Sequence, residues 1–98
     1  MQLIINNSGE INEFTEQLLK EKLEKLTSFY DRIETATVHV RPADGSGGNQ
    51  ATMSVRLAIP GPDVVAEATE KSAEKCIAEV TEKLRRQLRK VKEKQSGH

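Results

Sequence analysis

Between Lys83 and Lys94 stand seven bases, Lys83, Arg85, Arg86, Arg89, Lys90, Lys92 and Lys94, against the single acid Glu93. That is a local charge of +6 in a 98-residue chain whose fifteen Lys+Arg and fifteen Asp+Glu cancel, so the rest of the chain carries −6. Ammonium and guanidinium groups at this density do one kind of chemistry well: they neutralise the phosphates of a polyanion. The plainer reading is a solvated helix end, because cations near a C-terminus favour the helix dipole. Seven bases in twelve positions exceed what that end effect needs, and an oriented electrostatic surface follows.

Catalytic chemistry finds little support. The histidines are His39 and His98, and His98 lies in the last residue of the chain. His39 sits among Thr37 and Arg41 with no nucleophile at a recognisable spacing. Cys76 falls inside the apolar stripe of the last helix, where a free thiol packs as a small hydrophobe. The acids are scattered as helical partners of lysines and show no metal-ligand spacing. Gly45, Gly47 and Gly48 precede a strand, whereas a phosphate-cradling loop precedes a helix and carries Gly-Lys-Ser/Thr. The expectation is no enzyme, no cofactor, no metal and no small-molecule substrate.

The elements that position these residues can be read from periodicity. Gln2–Asn6 is a short strand, and Ser8-Gly9 a turn. Asn12 caps a helix running to about Phe29, with Ile11, Phe14, Leu18, Leu19, Leu23, Leu26 and Tyr30 in helical rhythm. Glu16–Lys20 and Glu21–Lys25 are ordered to pair on its wet side. Ile33–Arg41 alternates, with Ala36, Val38 and Val40 facing one way and Thr35, Thr37, His39 and Arg41 the other. Pro42–Asn49 reads as a hairpin loop. Ala51, Met53, Val55, Leu57 and Ile59 alternate with Thr52, Ser54, Arg56 and Ala58. A turn at Pro60-Gly61-Pro62-Asp63 leads into a strand over Val64–Ala68. Ser72 caps the last helix, whose stripe is Ala73, Cys76, Ile77, Val80, Leu84, Leu88 and Val91. The order β-α-β-β-β-α predicts an α+β two-layer sandwich, a four-stranded sheet with both helices on one face.

Length and composition set limits. A chain of 98 residues is one domain, expected over 1–94 with a disordered tail at 95–98. With 36% hydrophobic and 3% aromatic residues, the core is small and aliphatic, poorly suited to enclosing a large cavity. No apolar run spans a bilayer, the N-terminus lacks a signal-peptide pattern, and a single cysteine excludes an internal disulfide. A cytoplasmic protein without membrane partners is the expectation. The wet sheet face offers hydroxyls, His39 and Arg56 but no Phe, Tyr or Trp, so stacking of single-stranded bases has no platform there. Structured RNA read by shape fits better.

Several stretches resemble the ribosome hibernation-promoting factor and ribosome-associated translation inhibitor family: Met1-Gln2-Leu3-Ile4-Ile5, Lys22-Leu23-Glu24-Lys25-Leu26, Phe29-Tyr30-Asp31-Arg32-Ile33, and Glu82-Lys83-Leu84-Arg85-Arg86-Gln87-Leu88-Arg89-Lys90 with Lys92-Glu93-Lys94. The resemblance covers about residues 1–94 and is to a short, single-domain form. It implies a fold similar to double-stranded RNA-binding domains. It also implies a stress- or stationary-phase inhibitor that occupies the mRNA and tRNA path of the 30S subunit, against 16S rRNA, and is monomeric off the ribosome. Carried onto this chain, it assigns rRNA contact to Lys22, Lys25, Lys83, Arg86, Arg89 and Lys90, with His39, Arg56 and Lys92 as secondary rRNA-facing candidates. The family's usual Asp-Met-Tyr-x-Ala-Ile-Asp at the start of the last helix is replaced here by Ser72-Ala73-Glu74-Lys75-Cys76-Ile77-Ala78, in which only Ile77 is kept. Lys25 and Arg86 also have possible surface partners in Glu21 and Glu82. The competing readings are a stand-alone structured-RNA module with another target and a protein adaptor working through the last helix.

Overall fold

A computed structural model describes residues 1–7, 11–42 and 50–96, with side chains through 94. The elements are β1 (Gln2–Asn7), α1 (Glu13–Phe29), β2 (Thr35–Pro42), β3 (Ala51–Ala58), β4 (Val64–Glu70) and α2 (Ala73–Ser96). The Ser8-Gly9 turn, positions 43–49 of the expected hairpin loop, and Gly97-His98 lie outside the described residues. Both helix starts follow the capping chemistry expected of them. The Asn12 side chain accepts from the Thr15 N–H at 2.9 Å, and Ser72 Oγ accepts from the Lys75 N–H at 3.0 Å. Asn7 ties β1 to α1: its amide nitrogen donates to Ile11 O at 2.8 Å and to Glu16 Oε2 at 3.3 Å.

The sheet order is β1-β2-β3-β4, with β1 parallel to β2 and the other pairs antiparallel. Ala36, Val38, Met53, Val55, Leu57 and Ala68 face inward and are buried beneath Leu19, Leu23, Ile77, Val80, Leu84 and Leu88. Full burial of each Leu or Val contributes about 1.5–3 kcal/mol before the cost of ordering it. The α+β two-layer sandwich is therefore present, with both helices on the inner sheet face.

Three details depart from expectation. Phe14 is 74% exposed, because α1 buries Thr15, Leu19, Leu23 and Leu26, and Phe14 lies roughly 140° around the helix from Leu19. Thr52, on the outer face, is buried: its hydroxyl meets Thr69 Oγ1 at 2.9 Å, and the Arg41–Glu67 ion pair at 3.6 Å reaches across β3 beside it. Residues 95 and 96, expected in the tail, continue α2, since nothing in the sequence breaks the helix before Gly97.

The 24-residue α2 is about 36 Å long at 1.5 Å per residue, whereas the 8-residue β3 is about 26 Å. Its last turns reach past the end of β3 to the turn at Pro60 and Pro62, and the molecule is 49 Å along its longest axis. Along the way α2 lies against β4, the edge strand. Lys83 Nζ donates to Glu67 O and Gln87 Nε2 to Val65 O, both at 2.8 Å, so two otherwise open edge carbonyls are satisfied by the helix.

Candidate nucleic-acid interface

The core stripe of α2 divides its cations into flanks and a crest. At about 100° per residue, Arg86, Arg89 and Lys90 fall within roughly 100° of one another on the side away from Leu84 and Leu88. Lys83 is only about 20° from Lys90 around the helix, but its side chain is drawn to β4, where it bonds Glu67 O and sits 3.6 Å from the Glu79 carboxylate. Arg85 and Lys92 lie on the flank toward α1. The Arg85 guanidinium is 5.2 Å from the Phe29 ring centre, and Lys92 Nζ is 4.5 Å from it. Lys92 Nζ also donates to Phe29 O at 3.0 Å. The last turn of α1 has no base of its own, so Lys92 supplies from another helix the cation its dipole favours there.

On the crest, Arg86 Nε donates to Glu82 Oε1 at 3.2 Å, with both side chains more than half exposed. Among the described residues, no carboxylate lies within 4.0 Å of the Arg89 or Lys90 side chain. Lys25 and Lys22 occupy the α1 stripe that ends in Phe29, offset from it by about 40° and 20°. They therefore border the same seam that Arg85 and Lys92 enter. Both are exposed, and the expected Glu16–Lys20 and Glu21–Lys25 pairs are not closed.

The outer sheet face is different. Arg56 is 3.5 Å from Asp63 and Arg41 3.6 Å from Glu67, so its arginines are already opposed by carboxylates. His39 is exposed between Asn6 of β1 and Ser54 of β3 in the register. This face is a field of amides and hydroxyls with little net charge, and the unbalanced positive charge is on α2.

Cys76 is buried, and its thiol points to Ala51 O at 3.4 Å and Ala68 O at 3.8 Å. Burial pushes its pKa up, and Glu70 and Glu79 add to the rise against a hydrogen bond from the Glu70 backbone. It is a packing residue with a low thiolate fraction. Among the described residues no His/Cys/Asp/Glu group is arranged to hold a metal, and no helix is long and apolar enough to cross a membrane.

Arg85 is one of the seven bases of the run, but the family resemblance assigns it no role. Its partner, Phe29, is distant in sequence, and only an aromatic residue at the end of α1 hinted at it.

The described residues thus form a two-layer α+β domain with a cationic helical crest along α2. The chain is a member of the sigma 54 modulation protein / S30EA ribosomal protein family, whose family model matches residues 4–96. It is 36% identical over 96 residues to a ribosome hibernation promoting factor of Pseudomonas putida, covering 95% of this chain and 90% of that protein. Its fold is similar to that of a ribosomal subunit interface protein from Coxiella burnetii, with a TM-score of 0.82 at 20% identity over 94% of this chain and 98% of that one. The N-terminal domain of Thermus thermophilus Protein Y superposes with a TM-score of 0.75 at 20% identity, over 93% and 99% of the two chains.

Proposed function

We propose that this protein is a ribosome hibernation factor that binds the small ribosomal subunit at its decoding region. By occupying the path of mRNA and tRNA there, it holds translation off during stress or stationary phase. The observation that carries the reading is the α2 crest, where, among the described residues, no carboxylate lies within 4.0 Å of Arg89 or Lys90 and Arg86 is held by an exposed pair with Glu82. Such an exposed pair is worth about 0–1 kcal/mol and is readily exchanged for an rRNA phosphate. Lys22 and Lys25 extend the cationic surface across the seam, and the domain body supplies steric bulk. The function is binding in the cytoplasm, without turnover.

Sedimentation of the purified protein with 30S, 50S and 70S particles at rising salt tests this. Binding to 30S and 70S but not 50S is expected, with log affinity falling by about 0.7–0.9 per neutralised phosphate for each decade of salt. Equal binding to 50S, or affinity indifferent to salt, would point instead to a general RNA module or a protein adaptor.

A further inference from the structure

The crest leads into a groove that the reading above does not use. It lies between the β3–β4 turn and the C-terminal half of α2, with a volume of about 510 Å³. Small-molecule sites run at roughly 300–1,000 Å³. Ile59, Pro60, Pro62, Val64 and Val91 make its floor, and Lys90 and Lys94 stand on its rim one helical turn apart. The turn is stiff. Two prolines fix their own φ, and Gly61 between them takes φ 94°, a conformation L side chains rarely adopt.

The neighbouring polar groups are engaged elsewhere. The Gln87 amide donates to Val65 O, and Asp63 faces Arg56 at 3.5 Å. Lys90 and Lys94 meet no carboxylate within 4.0 Å among the described residues. An occupant must therefore bring an apolar face and negative charge together. A bare phosphate leaves the floor wet, and an uncharged apolar ligand leaves both ammonium groups unmatched.

We propose that this groove takes one unpaired nucleotide of a single-stranded RNA segment, its base against the Pro60–Pro62 floor and its phosphate between Lys90 and Lys94. The inference rests on the RNA-binding reading and deepens it. Lys90 belongs to the crest with Arg86 and Arg89, so a strand whose phosphates track the crest reaches the groove already in register. The groove also supplies what the sheet lacks, an apolar surface for a splayed-out base.

Methyl NMR of the full chain tests the proposal, following Ile59, Val64 and Val91 during titration with a short oligoadenylate, adenosine monophosphate, inorganic phosphate and an oligoglutamate peptide. The oligoadenylate should move these methyls, the monophosphate should move them at higher concentration, and phosphate should leave them still. Lys94→Glu should weaken oligoadenylate binding about tenfold. Methyls that stay still while RNA saturates the crest would overturn the proposal, as would shifts from phosphate alone. So would oligoglutamate matching the RNA, or a response to the free nucleotide but not to the oligonucleotide. A chain that sediments with 30S particles but shows still methyls loses the groove alone. One that shows the methyl shifts but ignores ribosomes supports the groove and loses the ribosomal reading.

Discussion

The flanks and the crest of α2 carry the same residue types within the same twelve positions, yet they are built for different work. Lys83, Arg85 and Lys92 have partners fixed by the fold: an edge carbonyl, an aromatic face and a helix C-terminus. Among the described residues, the exposed Glu82 is the one carboxylate within 4.0 Å of Arg86, Arg89 or Lys90. A charge count treats the two groups alike. The difference teaches that a basic helix binds a polyanion with the cations its own fold has left over. The others determine where the helix lies.

Charge reversal on the crest is expected to have the largest effect. The triple variant Arg86→Glu, Arg89→Glu, Lys90→Glu should lower 30S affinity by about 100-fold or more. Several charge-assisted contacts of ~1.5–3 kcal/mol each are at stake, less what solvent already screens. Translation inhibition should be lost with it, and the melting temperature should stay within a few degrees because all three side chains are exposed. A folded variant that still inhibits at the wild-type concentration would move the interface to Lys22, Lys25 and the sheet around His39 and Arg56.

The seam should give the opposite pattern. Phe29→Ala removes the half-buried ring that Arg85 and Lys92 straddle, and should cost about 2 kcal/mol of stability, below the range for a fully buried Phe. Lys92→Ala should cost ~1 kcal/mol through the lost ring contact and the uncapped α1 terminus. In both, 30S affinity of the folded fraction should change less than tenfold. Denaturant unfolding alongside sedimentation separates the two quantities. A Lys92→Ala protein of unchanged stability that has lost ribosome binding would erase the distinction between flank and crest.

A third test uses Cys76, on the core stripe and remote from either group of cations. A serine hydroxyl there finds acceptors in Ala51 O and Ala68 O, so Cys76→Ser should cost only ~1 kcal/mol, the low end for a buried polar exchange, and should not change ribosome affinity. The raised thiol pKa also makes stability pH-dependent. Above the ordinary value of 9.0 the unfolded chain gives up its thiol proton before the folded one does. The wild type should therefore lose stability relative to Cys76→Ser as pH climbs past 9.0, and show no such difference below it. Rapid labelling of the native thiol near neutral pH would contradict its burial.

What the sequence made legible was what depends on neighbours along the chain. Alternation at Thr35–Arg41 and Ala51–Ala58, the caps at Asn12 and Ser72, and the stripe from Cys76 to Leu88 are local signals that tertiary packing left in place. The same reading put Phe14 on the apolar face and Thr52 in water, because helical rhythm tolerates a residue at its margin and strand alternation does not register a cover laid over the far face. The candidate site divides likewise. Its charge was visible as a run of bases, but the sorting into flank and crest depends on Phe29 and Glu67, which only folding brings to α2.

Lys83 draws that distinction most finely, because the family resemblance assigns it to rRNA while its Nζ lies 2.8 Å from Glu67 O. If the edge contact is its main role, Lys83→Met keeps the aliphatic stem against β4 and removes one hydrogen bond to a carbonyl that water can reach. The expected cost is about 0.5–1 kcal/mol, since an exposed backbone acceptor recovers a partner from solvent. Its ion pair with Glu79, at 3.6 Å and partly exposed, adds little. Hydrogen exchange should quicken along β4, the strand whose edge it covers, more than along β2. The salt dependence of 30S binding should keep its slope, because no phosphate contact has been removed. A slope shallower by about 0.7–0.9, with β4 exchange unchanged, would place Lys83 with Arg86, Arg89 and Lys90 and extend the crest one turn toward the start of the helix.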